Sequence, residues 1–416
     1  MKVGFFLQRR FAYVGHEMAK ILKEKYGVTR FCGYVALRES LQFLKAQDDI
    51  KYEGLLLDDD IYAKYADEPL DKTFIDAFEK KYGMPTLWPY IYLDRVIRYN
   101  LLVREYPYDT PRYSHEDMLR IVQVAGKEIE RFLDEQKPDV LFFSVISNIG
   151  SFLLYAKKKG IRTFILDAAR VGNNYFLTEE FNRSTFVREV FARVQENPEH
   201  YSEDVTKAKA FLEKFQTTTT YYLESSMGFA TMNRSSNKGF AFTLLSLTRL
   251  KNIAWWLWFA TEQYIKYRAD YVTPNPLLAF WDKARRHVRL WRGYNDLYDA
   301  PQSGEKYVFV PLHSEPEAYP MLLAPYYTDQ LWLVKQIARS IPATHKLYVK
   351  DHPGMVGFRT RHYYKELKKI PNVRLIPAAH KSLDLIKNSE LVITLLGTAG
   401  WEAALLKKPV IIFGDN

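Results

Sequence analysis

The stretch "LVITLLGTAGWEAALLKKPVIIFGDN", residues 391–416, decides the fold class of this sequence. Two runs rich in apolar, β-branched residues enclose a small-residue turn, GTAG at 397–400, and a short segment that we expect to become helical near Trp401. A buried strand that leads through a tight turn into a helix, and on to another buried strand, is the repeating unit of a parallel sheet. The stretch therefore predicts an α/β fold.

The same alternation runs through both ends of the chain. In the first half, apolar runs predict strands and amphipathic spacing predicts helices, with strands at 2–7, 138–147 and 161–169 and helices at 16–27, 118–137 and 151–160. Towards the C-terminus, strands are predicted at 307–312, 372–377, 391–396 and 409–414, and 346–353 is predicted as a strand that ends in a loop; helices are predicted at 328–341 and 361–370. We therefore expect two parallel-sheet domains and a ligand crevice between them, at the carboxyl ends of their strands.

A basic, aromatic region separates the two alternating halves. Residues 239–300 hold five of the eight Trp, together with nine Lys and Arg against five acidic residues. Such a composition fits amphipathic helices lying on an anionic membrane, and it also fits a helical layer that covers the sheet. The sequence thus predicts a first domain at 1–235, a helical region at 236–300 and a second domain at 301–416. The segment 239–292 is the candidate for peripheral contact with a membrane.

The composition narrows the range of partners. The chain carries 59 Lys and Arg against 49 Asp and Glu, a net charge of +10 that favours anionic partners. Its basic residues are scattered and no nucleic-acid-binding motif appears, so we predict no nucleic-acid partner. Cys32 is the single cysteine and the nine His lack HExxH or HxH spacing, so we predict no metal and no cofactor.

Two features of the sequence bear on its location. No charge-free apolar run approaches the ~20 residues that span a bilayer. The apolar run in "MKVGFFLQRR" is too short for a signal peptide and predicts a first strand. We therefore expect a cytoplasmic protein, or one that is peripheral on the inner face of the cell membrane.

The GTAG turn at 397–400 is the first candidate anion site. Gly397, Ala399 and Gly400 leave the backbone accessible at the start of a helix, whose first amides carry partial positive charge, and the Thr398 hydroxyl is suited to cap the helix or to bind a phosphate oxygen. The alternative is a plain helix cap with glycines for tight packing. A helix terminus contributes ~0.3–2 kcal/mol, whereas micromolar binding needs about 8 kcal/mol, so a bound nucleotide requires additional groups.

The loop "YVKDHPG" (348–354) offers such groups on the same edge of the predicted sheet. Lys350 and His352 are suited to donate to a phosphate, and Asp351 to bond a ribose or cap a turn. A polar loop held by Pro353 is the alternative interpretation.

Candidate catalytic carboxylates follow two other predicted strands. In "VPLHSEPEAYP" (310–320), Glu315 and Glu317 are placed to hold sugar hydroxyls or to act as an acid or base, or they belong to a solvated loop. Asp167 ends a predicted strand in "FILDAARVGNNYF" (164–176), where it either bonds backbone amides or serves as base or nucleophile on a sugar donor.

Cations in the first half are candidates for binding an anionic acceptor. Arg9, Arg10 and His16 lie at the predicted turn between the first strand and the first helix. Arg170 follows Asp167 at the end of its strand.

The segment from about 307 to 414 resembles the bacterial capsule polysaccharide biosynthesis family, which includes the Kdo transferases that start capsule chains on a lipid. The pieces that carry this resemblance come in the family's order and are "VPLHSEPEAYP", "TDQ", "LYVKDHPG", "PNVRLIP", "KSLDLI" and "TLLGTAGWEAALLKKPVIIFG". By the resemblance, the fold is GT-B-like: two Rossmann-like domains face a central cleft, and the second domain binds the nucleotide, often of a CMP sugar.

The resemblance also assigns residues. His352 and Thr398 match donor-binding positions, and Glu402 is implied to contact the nucleotide. The family's transferases often carry an acidic residue, an aromatic and an Arg-Ser pair at a strand end; "LDAARVG" keeps the spacing of Asp167 and Arg170 and lacks the rest. GT-B proteins usually finish with helices that return to the first domain, so either the second domain is truncated here or those helices are absent.

The function predicted from these features is that of a GT-B glycosyltransferase. It moves a sugar from a nucleotide sugar, CMP-Kdo-like by the resemblance, to a surface polysaccharide or glycolipid acceptor. The donor phosphate is expected at 397–400, with Lys350 and His352 neutralising the leaving charge, and Asp167 and then Glu317 are the catalytic candidates. Two alternatives stay open: a nucleotide-sugar epimerase or hydrolase on the same fold, and a non-catalytic protein of polysaccharide assembly.

Overall fold

The computed structural model describes residues 1–7, 11–62, 64–82, 86–94, 113–143, 155–169, 174–179, 185–217, 247–266, 275–315 and 317–414. The described residues divide into two compact units. Those of unit 1 fall within 1–101, 110–184 and 260–275, and those of unit 2 fall within 185–259 and 276–416.

Unit 1 is built on a six-stranded sheet in the order β3-β2-β1-β4-β5-β6. Its strands are β1 (Lys2–Leu7), β2 (Arg30–Val35), β3 (Tyr52–Leu57), β4 (Val140–Phe143), β5 (Arg162–Ala168) and β6 (Tyr175–Thr178). Its helices are α1 (Phe11–Tyr26), α2 (Arg38–Lys45), α3 (Asp58–Tyr62), α4 (Lys72–Tyr82), α5 (Trp88–Leu93) and α6 (His115–Gln136). The first five strands pair in parallel, as buried β-α-β units require.

The core of unit 1 lies on its sheet, where aromatic rings of neighbouring strands stack. Phe5 on β1 stacks with Phe31 on β2 and Phe142 on β4, at centroid distances of 6.3 and 5.7 Å. Cys32 is fully buried in β2, and burial raises the pKa of its thiol to about 12. Helix α6 begins with a capping box at Ser114, whose hydroxyl accepts a hydrogen bond from the backbone amide of the third helical residue.

One strand of unit 1 departs from the sequence-based expectation. No strand was predicted between 169 and 307, but Tyr175–Thr178 forms β6, which pairs antiparallel with β5 and places Phe176 opposite Asp167. The pairing extends one hydrogen bond beyond the two strands, since the Ala169 amide donates to the Asn174 oxygen at 2.8 Å. This edge strand is short, as edge strands commonly are.

Unit 2 is built on a five-stranded, entirely parallel sheet in the order β11-β10-β7-β8-β9. Its strands are β7 (Tyr307–Pro311), β8 (Lys346–Lys350), β9 (Val373–Ile376), β10 (Leu391–Thr394) and β11 (Val410–Ile412). Ahead of the sheet come α7 (Thr185–Glu196), α8 (Ser202–Thr217), the part of α9 (Leu247–Lys266) up to residue 259, and α10 (Pro276–Arg292). Between and after the strands come α11 (Ala318–Leu323), α12 (Gln330–Ser340), α13 (Arg361–Lys368), α14 (Ser382–Asn388) and α15 (Thr398–Leu405).

Both sheets follow the same winding. Counted from the first strand of each unit, the order is 3-2-1-4-5, which is the Rossmann order, and unit 1 adds the antiparallel edge strand. The predicted α/β class with two parallel-dominated sheets is confirmed. Helices α7 and α8 were placed by sequence in a first domain ending at 235. They fall in unit 2, where Phe215 of α8 packs with Leu383 and Leu406.

Candidate functional site

The winding of unit 2 creates one place where a ligand site is expected. Strand order reverses between β7 and β10, so the connections that leave these two strands run to opposite sides of the sheet. In open α/β sheets, ligands bind in the crevice that this reversal opens at the carboxyl ends of the strands. The loop after β7 begins with Leu312 and His313, and the loop after β10 contains the GTAG turn at 397–400. The loop after β8, with His352, lies on the other side of β7.

The imidazole of His313 spans this reversal. Its Nε2 lies 3.0 Å from the Oγ1 of Thr394, the last residue of β10. The Thr394 hydroxyl donates to the Leu396 oxygen at 2.6 Å, which fixes the start of the turn. The ring also lies against Gly397: a Cβ on that residue would be 3.0 Å from His313 Cε1. The Leu396 amide also donates to the Nε2 of the ring at 3.4 Å, and His313 as a whole is half-buried.

The backbone of His313 is held from both sides. Its amide donates to the Oε1 of Gln330 at 2.7 Å, and its oxygen accepts from the Nε2 of the same side chain at 3.3 Å. Gln330 is buried in the first turn of α12, where the Asp329 side chain caps the helix by accepting from the Trp332 amide. The Nη2 of Arg359 adds a third hydrogen bond, to the His313 oxygen at 2.8 Å.

Arg359 joins the loops after β7 and β8. Its side chain is fully buried and donates to the carboxylates of Asp351 and Glu315, the latter at 2.9 Å. Asp351 also accepts from the His352 amide at 2.7 Å and from the Tyr364 hydroxyl. A buried arginine between two carboxylates is costly to leave unpaired, so this network fixes the relative position of the two loops.

Two carboxylates share the single positive charge of Arg359. Burial raises the pKa of Glu315 to about 7, against the opposing effect of Arg359 and of a hydrogen bond from Gln330, and the nearby Asp351 charge raises it further. Burial by itself would lower the pKa of Arg359, but Asp351 and Glu315 hold it well above its usual value. The arginine therefore stays charged while Glu315 takes up a proton near neutral pH.

His352 is held in one tautomer. Its Nδ1 accepts a hydrogen bond from the Gly354 amide at 3.1 Å, so the neutral ring carries its proton on Nε2. Burial lowers the pKa of His352, and the charges of Lys350 and Arg359 lower it further, while Asp351 opposes them. Lys350 is the last residue of β8 and is itself buried. His352 is thus a neutral hydrogen-bond donor at neutral pH rather than a fixed cation.

The GTAG turn takes a conformation that its glycine permits. Gly397 has φ +95° and is the N-cap residue of α15, so the helix begins at Thr398 rather than near Trp401. The expectation that the Thr398 hydroxyl caps the helix is wrong, because Thr398 already lies inside it and the cap carries no side-chain hydrogen bond. Gly400 allows close packing, since a Cβ there would be 3.1 Å from Thr394 Cγ2.

The other predicted residues of unit 2 take different places. Ala399 packs on the hydrophobic core, and Glu402 is buried within α15. Glu317 is the half-buried N-cap residue of α11, without a side-chain capping bond. Of the two glutamates in its loop, Glu315 is the one that joins the buried network.

The predicted residues of unit 1 are only partly described. Asp167 is half-buried on β5, opposite Phe176 of β6. His16 lies inside α1 rather than at the turn before it; its Nδ1 is 3.3 Å from the Tyr52 hydroxyl and its Nε2 is 3.1 Å from Asp49 Oδ1. Both ring nitrogens therefore contact neighbours in unit 1.

Three cations that were predicted to bind an acceptor, Arg9, Arg10 and Arg170, lie outside the described residues.

The arrangement in unit 2 suits an anion at the crevice edge. The first amides of α15 have no acceptor inside the helix, and the Nε2–H of His352 is a further donor from the loop after β8. His313 lies between them, and its own position is fixed by three backbone hydrogen bonds. Donors that are held in place before a ligand arrives lose little entropy when it binds.

Sequence reasoning missed the three residues that organise this edge, His313, Gln330 and Arg359. His313 was quoted within "VPLHSEPEAYP", but the loop was interpreted for its carboxylates. One signal was available: the loop after the first strand of a Rossmann-like unit lies at the reversal of strand order.

The sequence model of the family described as "Capsule polysaccharide biosynthesis protein" matches residues 326–416, which hold the loops after β8 and β10. Over these residues, the predicted resemblance to the capsule polysaccharide biosynthesis family is confirmed. No curated protein matches the chain.

Solved structures that are similar to this chain include two kinds of enzyme. Thermosulfurimonas dismutans KpsC, a beta Kdo 2,7 transferase, matches at 12% identity and a TM-score of 0.32, over 70% of this chain and 69% of that one. UDP-GlcNAc 2-epimerase from Neisseria meningitidis matches at 13% identity and a TM-score of 0.25, over 99% and 82%. Similarity at these scores does not identify an activity. Among the described residues, no helix is both long and apolar enough to cross a membrane.

Proposed function

We propose that the protein is a glycosyltransferase of capsule polysaccharide or glycolipid assembly, with a nucleotide sugar as donor. The observation that carries this proposal is the crevice edge of unit 2. There His313 contacts the end of β10 just before α15, and the loop with His352 follows β8, the neighbouring strand on the other side of β7. The family match over 326–416 supports the biosynthetic context. The donor proposed is a CMP sugar such as CMP-Kdo.

In this proposal, the leaving phosphate lies on the first amides of α15 and on the Nε2–H of His352. The bond between the anomeric carbon and the phosphate oxygen breaks, and its electron pair leaves with the phosphate. An acceptor hydroxyl oxygen bonds to the anomeric carbon, and its proton passes to a carboxylate. Asp167 is the first candidate for that carboxylate and for stabilising the oxocarbenium-like state, and Glu317 is the second.

The neutral state of His352 has a role in this chemistry. A neutral imidazole donates from Nε2 without repelling Lys350, and an arriving phosphate raises its pKa because opposite charges favour the protonated ring. The Nε2–H then donates to the phosphate oxygen as the leaving group gains charge, while Nδ1 keeps its hydrogen bond from the Gly354 amide. The amides of α15 contribute ~0.3–2 kcal/mol, so His352 and contacts to the base and sugar supply most of the binding energy.

The acceptor in this proposal is a saccharide or a lipid-linked saccharide, and transfer takes place at the inner face of the cell membrane. Contact through 239–292 is part of the proposal. Exposed tryptophans on α9 and α10, Trp255, Trp258, Trp281 and Trp291, support it.

The first experiment measures thermal stabilisation by CMP, UDP and GDP. A ligand at about 100 times its Kd stabilises the native state by about 2.7 kcal/mol. We expect CMP to raise the Tm and His352→Ala to abolish the rise. His362→Ala is the matched control, because His362 is an exposed histidine of α13 in the same unit. A Tm rise that survives His352→Ala would remove this histidine from the donor site.

The second experiment follows product formation from the donor identified by the first. Asp167→Ala is expected to keep the CMP-induced Tm rise and to lose turnover, and Glu317→Ala tests the second candidate. Full turnover in Asp167→Ala excludes it from the mechanism. Conversion of the donor without any acceptor would instead establish an epimerase or a hydrolase.

A further inference from the structure

Helix α10 turns an apolar stripe towards solvent. Leu277, Trp281, Val288 and Trp291 are 75%, 61%, 59% and 54% exposed. With Ala284 they recur at intervals of four, three, four and three residues, which places all five on one face of a helix. Exposed apolar groups are ordinary when scattered, but a continuous stripe with two tryptophans indicates a surface that binds another protein or a membrane.

The opposite face of α10 is directed into unit 2 and carries three cations beside the buried Ala279. Arg289 Nη1 donates to the Phe358 oxygen at 3.1 Å, and the Arg286 guanidinium lies 4.3 Å from the centre of the Phe358 ring. The Lys283 ammonium lies 3.5 Å from the centre of the Trp256 ring on α9. This is the reverse of an ordinary surface helix, whose apolar stripe faces the core.

These inward contacts keep the stripe outside. Rotating α10 to bury Trp281 and Trp291 would break the hydrogen bond from Arg289 and both cation–π contacts, and would expose their partners. The exposed stripe is therefore built into the packing of unit 2. Helix α9 also exposes tryptophans, Trp255 and Trp258.

The charge of α10 distinguishes between two possible partners of the stripe, a second copy of the chain and a lipid bilayer. Helix α10 carries five Lys and Arg and one Asp, a net positive charge; Lys283, Arg286 and Arg289 contact unit 2, whereas Arg292 is exposed. A second copy packed stripe to stripe would bring two such cationic helices together, and like charges across an interface oppose association. An anionic bilayer attracts the same charges, and tryptophan prefers the boundary between head groups and acyl chains.

We propose that the α10 stripe, formed by Leu277, Trp281, Ala284, Val288 and Trp291, lies in the head-group region of an anionic lipid bilayer. The helix lies in the plane of the membrane, and the exposed Arg292 at its end faces lipid phosphates. This inference rests on the membrane contact in the proposed function and specifies its surface and the class of lipid. It requires neither a sugar nucleotide nor transfer.

The test is co-sedimentation of the full chain with vesicles of phosphatidylcholine, alone or mixed with phosphatidylglycerol. We expect binding to the mixed vesicles that weakens as salt rises, because screening shortens the reach of the lipid charge. The double variant Trp281→Ser/Trp291→Ser is expected to lose about tenfold or more in partitioning, since two large side chains no longer leave water. Trp332→Ser is the matched control, because Trp332 is an exposed tryptophan on α12 of the same unit.

The outcomes separate the inference from its rivals. No binding of the unmodified chain to phosphatidylglycerol vesicles, or equal binding by the double variant, overturns it. A dimer in sedimentation equilibrium that the double variant converts to monomer overturns it in favour of a second copy. The CMP-induced Tm rise is measured in parallel: its retention in the double variant shows an intact unit 2. Its absence from every chain, with vesicle binding intact, contradicts the transferase proposal alone.

Discussion

Arg359 donates a hydrogen bond of 2.8 Å to the backbone oxygen of His313, 46 residues earlier in the chain. Through this bond and its ion pair with Asp351, one buried guanidinium joins the loop after β7 to the loop after β8. The position of His313 at the reversal of strand order therefore depends on a residue that has no exposed surface of its own.

Replacing Arg359 should destabilise unit 2 strongly. Arg359→Met leaves Asp351 and Glu315 buried without their shared cation, and removing one partner of a buried ion pair costs about 3–5 kcal/mol. Urea denaturation measures the free energy of unfolding. The control is Arg30→Met, whose exposed pair with Glu53 contributes about 0–1 kcal/mol. Equal losses in both variants would contradict the central place of Arg359.

Glu315 should make stability depend on pH near neutrality. Its pKa is about 7 in the folded protein, above its ordinary value of 4.5, so the folded state binds the proton more tightly than the unfolded chain. The resulting stabilisation is complete below pH 4.5 and is lost as pH rises through about 7. Glu315→Gln, which cannot ionise, should remove this decline in the free energy of unfolding between about pH 5 and 8.

Glu305→Gln is the control for this pH experiment, because folding lowers the pKa of Glu305 whereas it raises the pKa of Glu315. A hydrogen bond from Arg374 lowers the pKa of Glu305, so its stabilisation is present above pH 4.5 and is lost only in acid. Urea denaturation of both variants across the range compares them. A decline that persists in Glu315→Gln would assign it to another group.

Gly397→Ala should weaken both folding and nucleotide binding. The residue has φ +95°, and the added Cβ would meet His313 Cε1 at 3.0 Å. Gly304→Ala separates the effect of the positive φ from the effect of the contact with His313. Gly304 has φ +76°, but nothing lies within 4 Å of a Cβ there. Gly304→Ala should cost about 1 kcal/mol, and Gly397→Ala more. The double variant Gly397→Ala/His313→Ala should recover the difference; its failure to do so would show that the contact is not the cause.

Gln330 should act on binding through His313. Gln330→Ala removes both hydrogen bonds to the His313 backbone and leaves buried groups unsatisfied, at about 1–3 kcal/mol. We expect a lower Tm and a weaker affinity for CMP by calorimetry. Gln330→Glu keeps the acceptor for the His313 amide and loses the donor to the His313 oxygen. The affinity of this variant for CMP should therefore lie between those of the unmodified protein and of Gln330→Ala. An unchanged affinity in Gln330→Ala would show that CMP binding does not depend on the hydrogen bonds that hold the His313 backbone.

The sequence predicted the strands and helices of unit 2 well because their signals are local. Apolar runs marked β10 and β11, and the small residues between them marked the turn. The start of α15 was placed three residues late, since Gly397 lets the chain enter the helix at once. Strand β6 was missed because four residues carry too little periodicity and its partner β5 defines it.

The candidate site was predicted less completely than the fold. The loops with His352 and the GTAG turn were identified from residue types that suit phosphate. The role of His313 was not, because it depends on Thr394, 81 residues away, and on two buried side chains from other elements. Hydrogen bonds between distant segments leave no periodic trace in a sequence.

Cys32 has a practical consequence for biophysical labelling. It is the one cysteine of the chain, it is fully buried, and its thiol stays protonated at working pH because its pKa is about 12. Maleimide reagents need a thiolate that they can reach, so the native background should remain unlabelled without any serine replacement. A single introduced thiol, as in Trp281→Cys, would then carry a spin label or fluorophore alone, and its depth in a bilayer could be read directly.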